Sequence, residues 1–146
     1  MDLTVLFFLT SGLFLGWALG ANDAANVFGT AVGTRMIQFS TAAIICSIFI
    51  ILGAVISGAG AASTLGKLGA ISSLPGAFMA ALAAALAVYL MTKAGLPVST
   101  TQAIVGAIIG WNLFNGKETD PAPLIKILST WIICPILAAI FSIILF

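Results

Sequence analysis

The chain has 146 residues, 62% of them hydrophobic and 6% charged, with no histidine and a formal net charge of +1. A soluble domain carries about a quarter charged residues, so this composition excludes a water-facing surface and fits bilayer as its solvent. With no basic cluster, nothing in it offers a footprint for nucleic acid.

In chain order, residues 1–21 read MDLTVLFFLTSGLFLGWALGA, an apolar stretch with a small-residue end. A secretory leader begins with positive charge; here Asp2 stands instead, and the segment reads as a retained helix. Crossing a hydrocarbon core of roughly 30 Å takes about 20 helical residues. Leu3 to Gly33 suffices for one span with turns to spare, Asp23 inside it, and 41–57 makes a second. Residues 58–76, small and glycine-rich, predict a loop or a short interfacial helix. An alanine-rich span follows at 77–92. The apolar stretch 103–114 is too short to cross alone. NGKETDPAP at 115–123 is the truly polar loop, and 124–146 is the last span, with Pro135 predicted to kink it. Cys46 and Cys134 lie singly in apolar runs, as small hydrophobes do. Gly12, Gly16 and Gly20, Gly29 and Gly33, and Gly106 and Gly110 are each four apart, a spacing that suits close helix packing. Asp2 before the first span and Arg35 after it place the N-terminus outside and Arg35 in the cytoplasm, with Lys67 outside and Lys93 inside.

Two polar motifs interrupt this apolar pattern. The first is GANDAAN at 20–26. On a helix, Asp23, Asn26 and Thr30 follow spacings of three and four, as do Asn22 and Asn26, so the group shares one face. A carboxylate among carboxamide and hydroxyl oxygens is a ligand set for a hard monovalent cation. An unpaired charge within a span costs about 2.5 to 3.5 kcal/mol even on lenient scales, which makes Asp23 a functional candidate. The competing reading is a structural hydrogen-bond knot with Asp23 protonated.

The second is GLPVSTTQAIVGAIIG at 95–110. Pro97 disfavours helix at Leu96, and Ser99 with Gln102 three residues on forms a capping box, so a helix is expected to start at Thr100. Its first N–H groups and dipole end would lie at Ser99, Thr100, Thr101 and Gln102, beside three hydroxyls, an arrangement that binds anions. Because that helix is too short to span, its N-terminus is expected at membrane depth, a recurring transporter device. The competing reading is an ordinary cap at a membrane surface. Together the motifs suit cation-coupled anion uptake: a carboxylate gathers cation, a half-helix gathers anion, and each makes the other's charge tolerable in low dielectric.

GANDAANVFGTAVGTR and GLPVSTTQAIVGAIIGWNL resemble the signature segments of the inorganic phosphate transporter (PiT) family, which includes sodium–phosphate symporters, proton-coupled phosphate permeases and some sulfate permeases. The resemblance covers residues 1–146 as the N-terminal transmembrane repeat of such a protein. It implies an all-α integral membrane fold, a transmembrane helix bundle with a re-entrant helical hairpin, forming one repeat of an inverted-repeat transporter in a cell membrane. It also implies that Asn22, Asp23 and Asn26 belong to the sodium and substrate site, which Thr30 joins by its place on the same helix face, and that Ser99, Thr100, Thr101 and Gln102, with Asn26, hold phosphate. Many relatives carry histidine where Gln102 stands, which favours sodium over proton as coupling ion, although Asp23 could carry a proton. Family members have two repeats and this chain has one. The second would come from a longer carrier, from another chain, or from a second copy in a homo-oligomer. The expected function is therefore secondary active transport of inorganic phosphate, with no cofactor beyond the coupling ion and no enzymatic activity. Alternatives are a permease for sulfate or another oxyanion, and a non-transporting membrane assembly subunit.

Overall fold

The computed structural model describes residues 2–69 and 73–146. They form five helices: α1 (Leu3–Gly33), α2 (Phe39–Leu68), α3 (Leu74–Lys93), α4 (Thr100–Phe114) and α5 (Pro121–Leu145). The chain is an all-α helix bundle, and α1, α2, α3 and α5 are each long and apolar enough to cross a membrane. At 15 residues, α4 extends about 22 Å and falls short of a bilayer core.

Residues 58–68, expected as loop or interfacial helix, instead continue α2 without a break. Glycine in a helix costs about 1 kcal/mol against alanine, but an unfolded backbone in an apolar medium leaves several polar groups without partners, a larger cost. The rest of that expected loop includes residues 70–72, which lie outside the described residues. α5 begins at Pro121, three residues before the expected start, because a proline at the first helical position gives up only an N–H that had no partner. Asp120 caps it, accepting from the Ala122 N–H at 2.9 Å. The helix assignment runs uninterrupted through Pro135.

Three helix ends share one device. After α1, α3 and α4 the chain turns through a left-handed residue, Arg35 (φ 60°), Gly95 (φ 71°) and Gly116 (φ 64°). In each case the next N–H returns to a carbonyl of the last turn: Met36 to Ala31, Leu96 to Met91 and Lys117 to Asn112, each at 2.9 Å. This is the Schellman closure, which satisfies carbonyls that a helix end leaves open. Between α3 and α4 it is followed by Pro97, which cannot continue a helix.

α1 and α3 run side by side in the same direction. Phe7 stacks on Phe78 at 5.1 Å between centroids, and Trp17 lies 5.9 Å from Tyr89. Ser11, Ala18 and Asn22 bury one face of α1, and Gly76, Ala80, Ala84 and Val88 form a four-residue repeat along the buried face of α3. α4 returns antiparallel to α3, so Trp111 lies against Gly76, where an added Cβ would sit 3.0 Å from the indole nitrogen. The core joins Leu68, Ala80, Val105 and Ile108, with Leu124, Ile127 and Trp131 of α5 packed against it. The glycines read from the sequence as packing grooves have another setting. A Cβ at Gly12, Gly16, Gly20, Gly29, Gly33, Gly106 or Gly110 would meet nothing within 4 Å. Close approach occurs at Gly69 and Gly76 instead.

Candidate functional site

The α3–α4 turn delivers its tip to the middle of α1. Ser99 caps α4 as its spacing predicts, its Oγ accepting from the Gln102 N–H at 3.3 Å, while its carbonyl accepts from Ala103 N–H at 3.0 Å. The N–H groups of Thr100 and Thr101 lie in the first turn, where no helical acceptor exists. α4 therefore presents the positive end of its dipole toward α1.

What it faces there is the Asn22–Asp23 pair. Asn22 is 5% exposed. Its Nδ2 donates both to the Val98 carbonyl at 2.6 Å and to Asp23 Oδ1 at 2.7 Å. The Thr100 hydroxyl, also buried, donates to the same Oδ1 at 3.3 Å. Residues 77 apart in sequence thus meet at one carboxylate oxygen. Hydrogen bonds to charged groups contribute about 1.5 to 3 kcal/mol each, which offsets part of the cost of holding a carboxylate away from water. Among the described residues, both bonds fall on Oδ1, so Oδ2 is the oxygen left to a cation or a proton.

The remaining candidates stand apart from this cluster. Asn26 and Thr30 are exposed, one and two turns farther along α1 than the hairpin reaches. Thr101 and Gln102 are exposed on the outer side of α4, and Ser99 is half-buried. The face of α1 predicted to act as one unit is divided by the hairpin. Asn22 and Asp23 lie under it, Asn26 and Thr30 beyond it. No basic residue joins the cluster. Arg35 lies in the turn after α1, whose end at Gly33 is ten residues or about 15 Å of helix from Asp23, and Lys93 lies over the Tyr89 ring at 5.9 Å.

Two participants escaped the sequence reading. The Val98 carbonyl is a backbone group, invisible to a search by residue type. Asn112, 1% exposed, joins α4 to the end of α2. Asp23 was singled out by its charge; Asn112 in AIIGWNLF carries none, and only the broader signal of a polar side chain inside an apolar run could have found it.

With this geometry in hand, comparison with known proteins is direct. Residues 19–146 match the model of the phosphate transporter family, PHO4. The chain belongs to that family. A protein of Pyrococcus furiosus is 35% identical over 156 residues, covering 99% of this chain and 38% of its own length. One from Methanocaldococcus jannaschii is 39% identical over 140 residues, covering 95% and 45% respectively. A Mycobacterium tuberculosis protein is 31% identical over 154 residues, covering 92% and 28%. All three carry the name "Putative phosphate permease". The chain thus spans less than half the length of these relatives. No solved structure matches it. The matched segment contains both polar motifs, so the family relation and the Asp23–Thr100 contact concern the same residues.

Proposed function

We propose that this chain forms one half of a secondary transporter that carries inorganic phosphate across a membrane by symport with sodium, or alternatively with protons. The observation that carries the reading is the Thr100–Asp23 contact, because it sets the N-terminal end of a short helix against a partly buried carboxylate. A carboxylate alone repels phosphate, and a helix N-terminus alone repels cation. Side by side, each lowers the cost of the other's ligand, and the cation offsets the carboxylate while the helix end offsets part of the phosphate charge. Asp23 Oδ2 is assigned to the cation, with Asn26 one turn on as a further oxygen, and Asn22 holds the carboxylate in place. Thr30, seven residues and about 10 Å of helix from Asp23, is too far to share that ion. Thr101, Gln102, Ser99 and the first N–H groups of α4 are assigned to phosphate. The family membership and the names of the relatives support phosphate as the substrate.

The reading extends to the rest of the assembly. The hairpin tip meets α1 ten residues short of its C-terminal end, about 15 Å along the axis, and α4 is too short to cross. Both support a re-entrant hairpin whose tip stops at depth. The relatives are longer than twice this chain, which suits a second, inverted repeat that supplies the other half of the site, from the same chain or from another copy in a homo-oligomer. Asp2 outside and Arg35 in the cytoplasm belong to the same proposal. Lys67, Lys117 and Lys126 lie toward the Asp2 end against Arg35 and Lys93 at the other, so the basic residues taken alone argue for the reverse orientation. Labelling of an Asp2→Cys variant only from the cytoplasm would establish that reverse orientation.

The test is phosphate uptake by the intact protein in liposomes, with and without an inward sodium gradient and with sulfate as competitor. Asp23→Asn is expected to abolish gradient-driven uptake while the protein remains inserted and folded. Uptake at the unsubstituted rate with unchanged sodium dependence removes Asp23 from the mechanism, and sulfate competing on equal terms moves the substrate to oxyanions in general.

A further inference from the structure

The short helix that presents Thr100 to Asp23 is fastened at its other end by a residue that the transport reading does not use. Asn112 lies in the last turn of α4, 1% exposed. Its Nδ2 donates to the carbonyl of Leu68, the last residue of α2, at 3.1 Å, and to the Thr119 hydroxyl at 3.0 Å. Its own carbonyl accepts from the N–H groups of Lys117 at 2.9 Å and Asn115 at 3.1 Å. One side chain therefore ties α4 to the end of α2 and to the segment leading into α5. The fit is close. A Cβ at Gly69 would lie 2.6 Å from Asn112 Oδ1 and 2.9 Å from Ile108 Cγ2, and among the described residues that Oδ1 has no donor. The amide cannot be turned over, because its oxygen would then face the Leu68 carbonyl.

We infer that Asn112 is a positioning residue for the site at the opposite end of α4, fixing where Thr100 stands against Asp23. This rests on the transport reading above. Twelve residues separate Thr100 from Asn112, about 18 Å of continuous helix, and helices move as units in packed interiors. The Thr100–Asp23 bond, at 3.3 Å, is already longer than the roughly 2.5 to 3.0 Å usual for a hydroxyl donor, so a slide of a few tenths of an ångström breaks it. Along the rest of α4 the buried contacts are apolar, Val105 and Ile108 against Leu68 and Ala80, and such contacts are non-directional. Among the residues of α4's C-terminal half, the directional anchor is the carboxamide. α4 is thus pinned by one buried asparagine at each end, Asn22 through Val98 and Asn112 through Leu68.

The experiment uses the intact protein with Cys46 and Cys134 replaced by serine. Labelling of Thr101→Cys by a hydrophilic maleimide reports the position of the α4 N-terminus without requiring transport, and the phosphate concentration for half-maximal uptake is measured without that cysteine. Asn112→Asp keeps the shape and replaces two N–H donors with a carboxyl that offers at most one O–H, whereas Asn112→Gln keeps both donors on a longer arm. Loss of one hydrogen bond corresponds to about two- to tenfold in an equilibrium. Asn112→Asp is expected to change the labelling rate and the half-saturating phosphate concentration by factors in that range with maximal uptake less affected, and Asn112→Gln to recover part of both. Should Asn112→Asp fail to fold, Thr119→Val removes one acceptor and Gly69→Ala presses on Oδ1, and the same shifts are expected at smaller size. Folded variants whose Thr101→Cys labelling and half-saturation match the parent protein overturn the inference. Failure of the transport reading looks different: phosphate neither moves nor shields the cysteine, while the labelling rate still responds to position 112.

Discussion

At the scale of single residues, the site turns on how few hydrogen-bond donors serve how many acceptors. A threonine hydroxyl has one proton to give, and in this structure the Thr100 proton goes to Asp23 Oδ1. Thr100 can therefore donate to phosphate only by releasing Asp23, while the exposed hydroxyl of Thr101 is free to donate. The two threonines should separate on substitution. Thr101→Ala is expected to weaken equilibrium phosphate binding by roughly tenfold, the lower end for a hydrogen bond to a charged group, with little change in sodium affinity. Thr100→Ala is expected to weaken both, because it also removes a donor from the carboxylate. Arg35→Gln, in the turn beyond the end of α1 and more than about 15 Å of helix from Asp23, is expected to leave binding intact and to act on orientation or expression. Equilibrium binding to purified, correctly inserted variants at fixed sodium checks all three. Loss of binding in Arg35→Gln with both threonine variants unaffected would place the anion elsewhere.

At the scale of elements, the start of α4 was the most legible helix end in the sequence. Ser99 and Gln102 at capping spacing placed the start of α4 at Thr100, where it is observed, and Pro97 placed the break before it. These signals are local, and local hydrogen bonds decide them. Residues 58–68 misled because glycine was weighed as it is in water, where an open backbone finds partners; in an apolar setting the same glycines stay helical. The pairing of Asp23 with the STTQ segment was legible from charge alone. Which asparagine lies beneath the hairpin was not, since that depends on the rotation of α1 about its axis, set by Ser11 and Ala18 packing on α3. The turn itself makes a prediction. Gly95 holds φ 71°, and a side chain there costs about 1 to 2 kcal/mol, less for asparagine than for alanine or valine. Thermal unfolding of the intact protein should rank Gly95 above Gly95→Asn, then Gly95→Ala, then Gly95→Val. Equal melting temperatures across the series would mean that the turn is not held in this conformation.

At the scale of the whole molecule, the question is what covers so much apolar surface. The accessible area is 10058 Å², against about 7,000 Å² for a soluble monomer of this 14.9 kDa mass. α5 buries no residue fully, and Ile132, Ile136, Phe141 and Ile143 are half exposed or more. The lower half of α1 and the start of α2 enclose an apolar cleft of about 670 Å³ lined by Ala24, Phe28, Val32, Phe39, Cys46 and Ile50. Such surfaces suit lipid or further protein. Exposed positions at the tip of the hairpin are of another kind, with Thr101 and Gln102 carrying groups that need water, ion or phosphate as partners. A hydrophilic thiol reagent distinguishes the two classes in the intact, reconstituted protein, because it does not enter hydrocarbon. Cysteines at Ile136 and Phe141 are expected to resist it despite their exposure in the isolated chain, whereas cysteines at Ser99, Thr101 and Gln102 are expected to react and to be shielded by added phosphate. Reaction at the hairpin positions that is rapid, as in an open loop, and indifferent to phosphate would return this turn to the membrane surface. It would then be an ordinary capped helix start, and the depth argued from the length of α4 and the reach of α1 would fail with it.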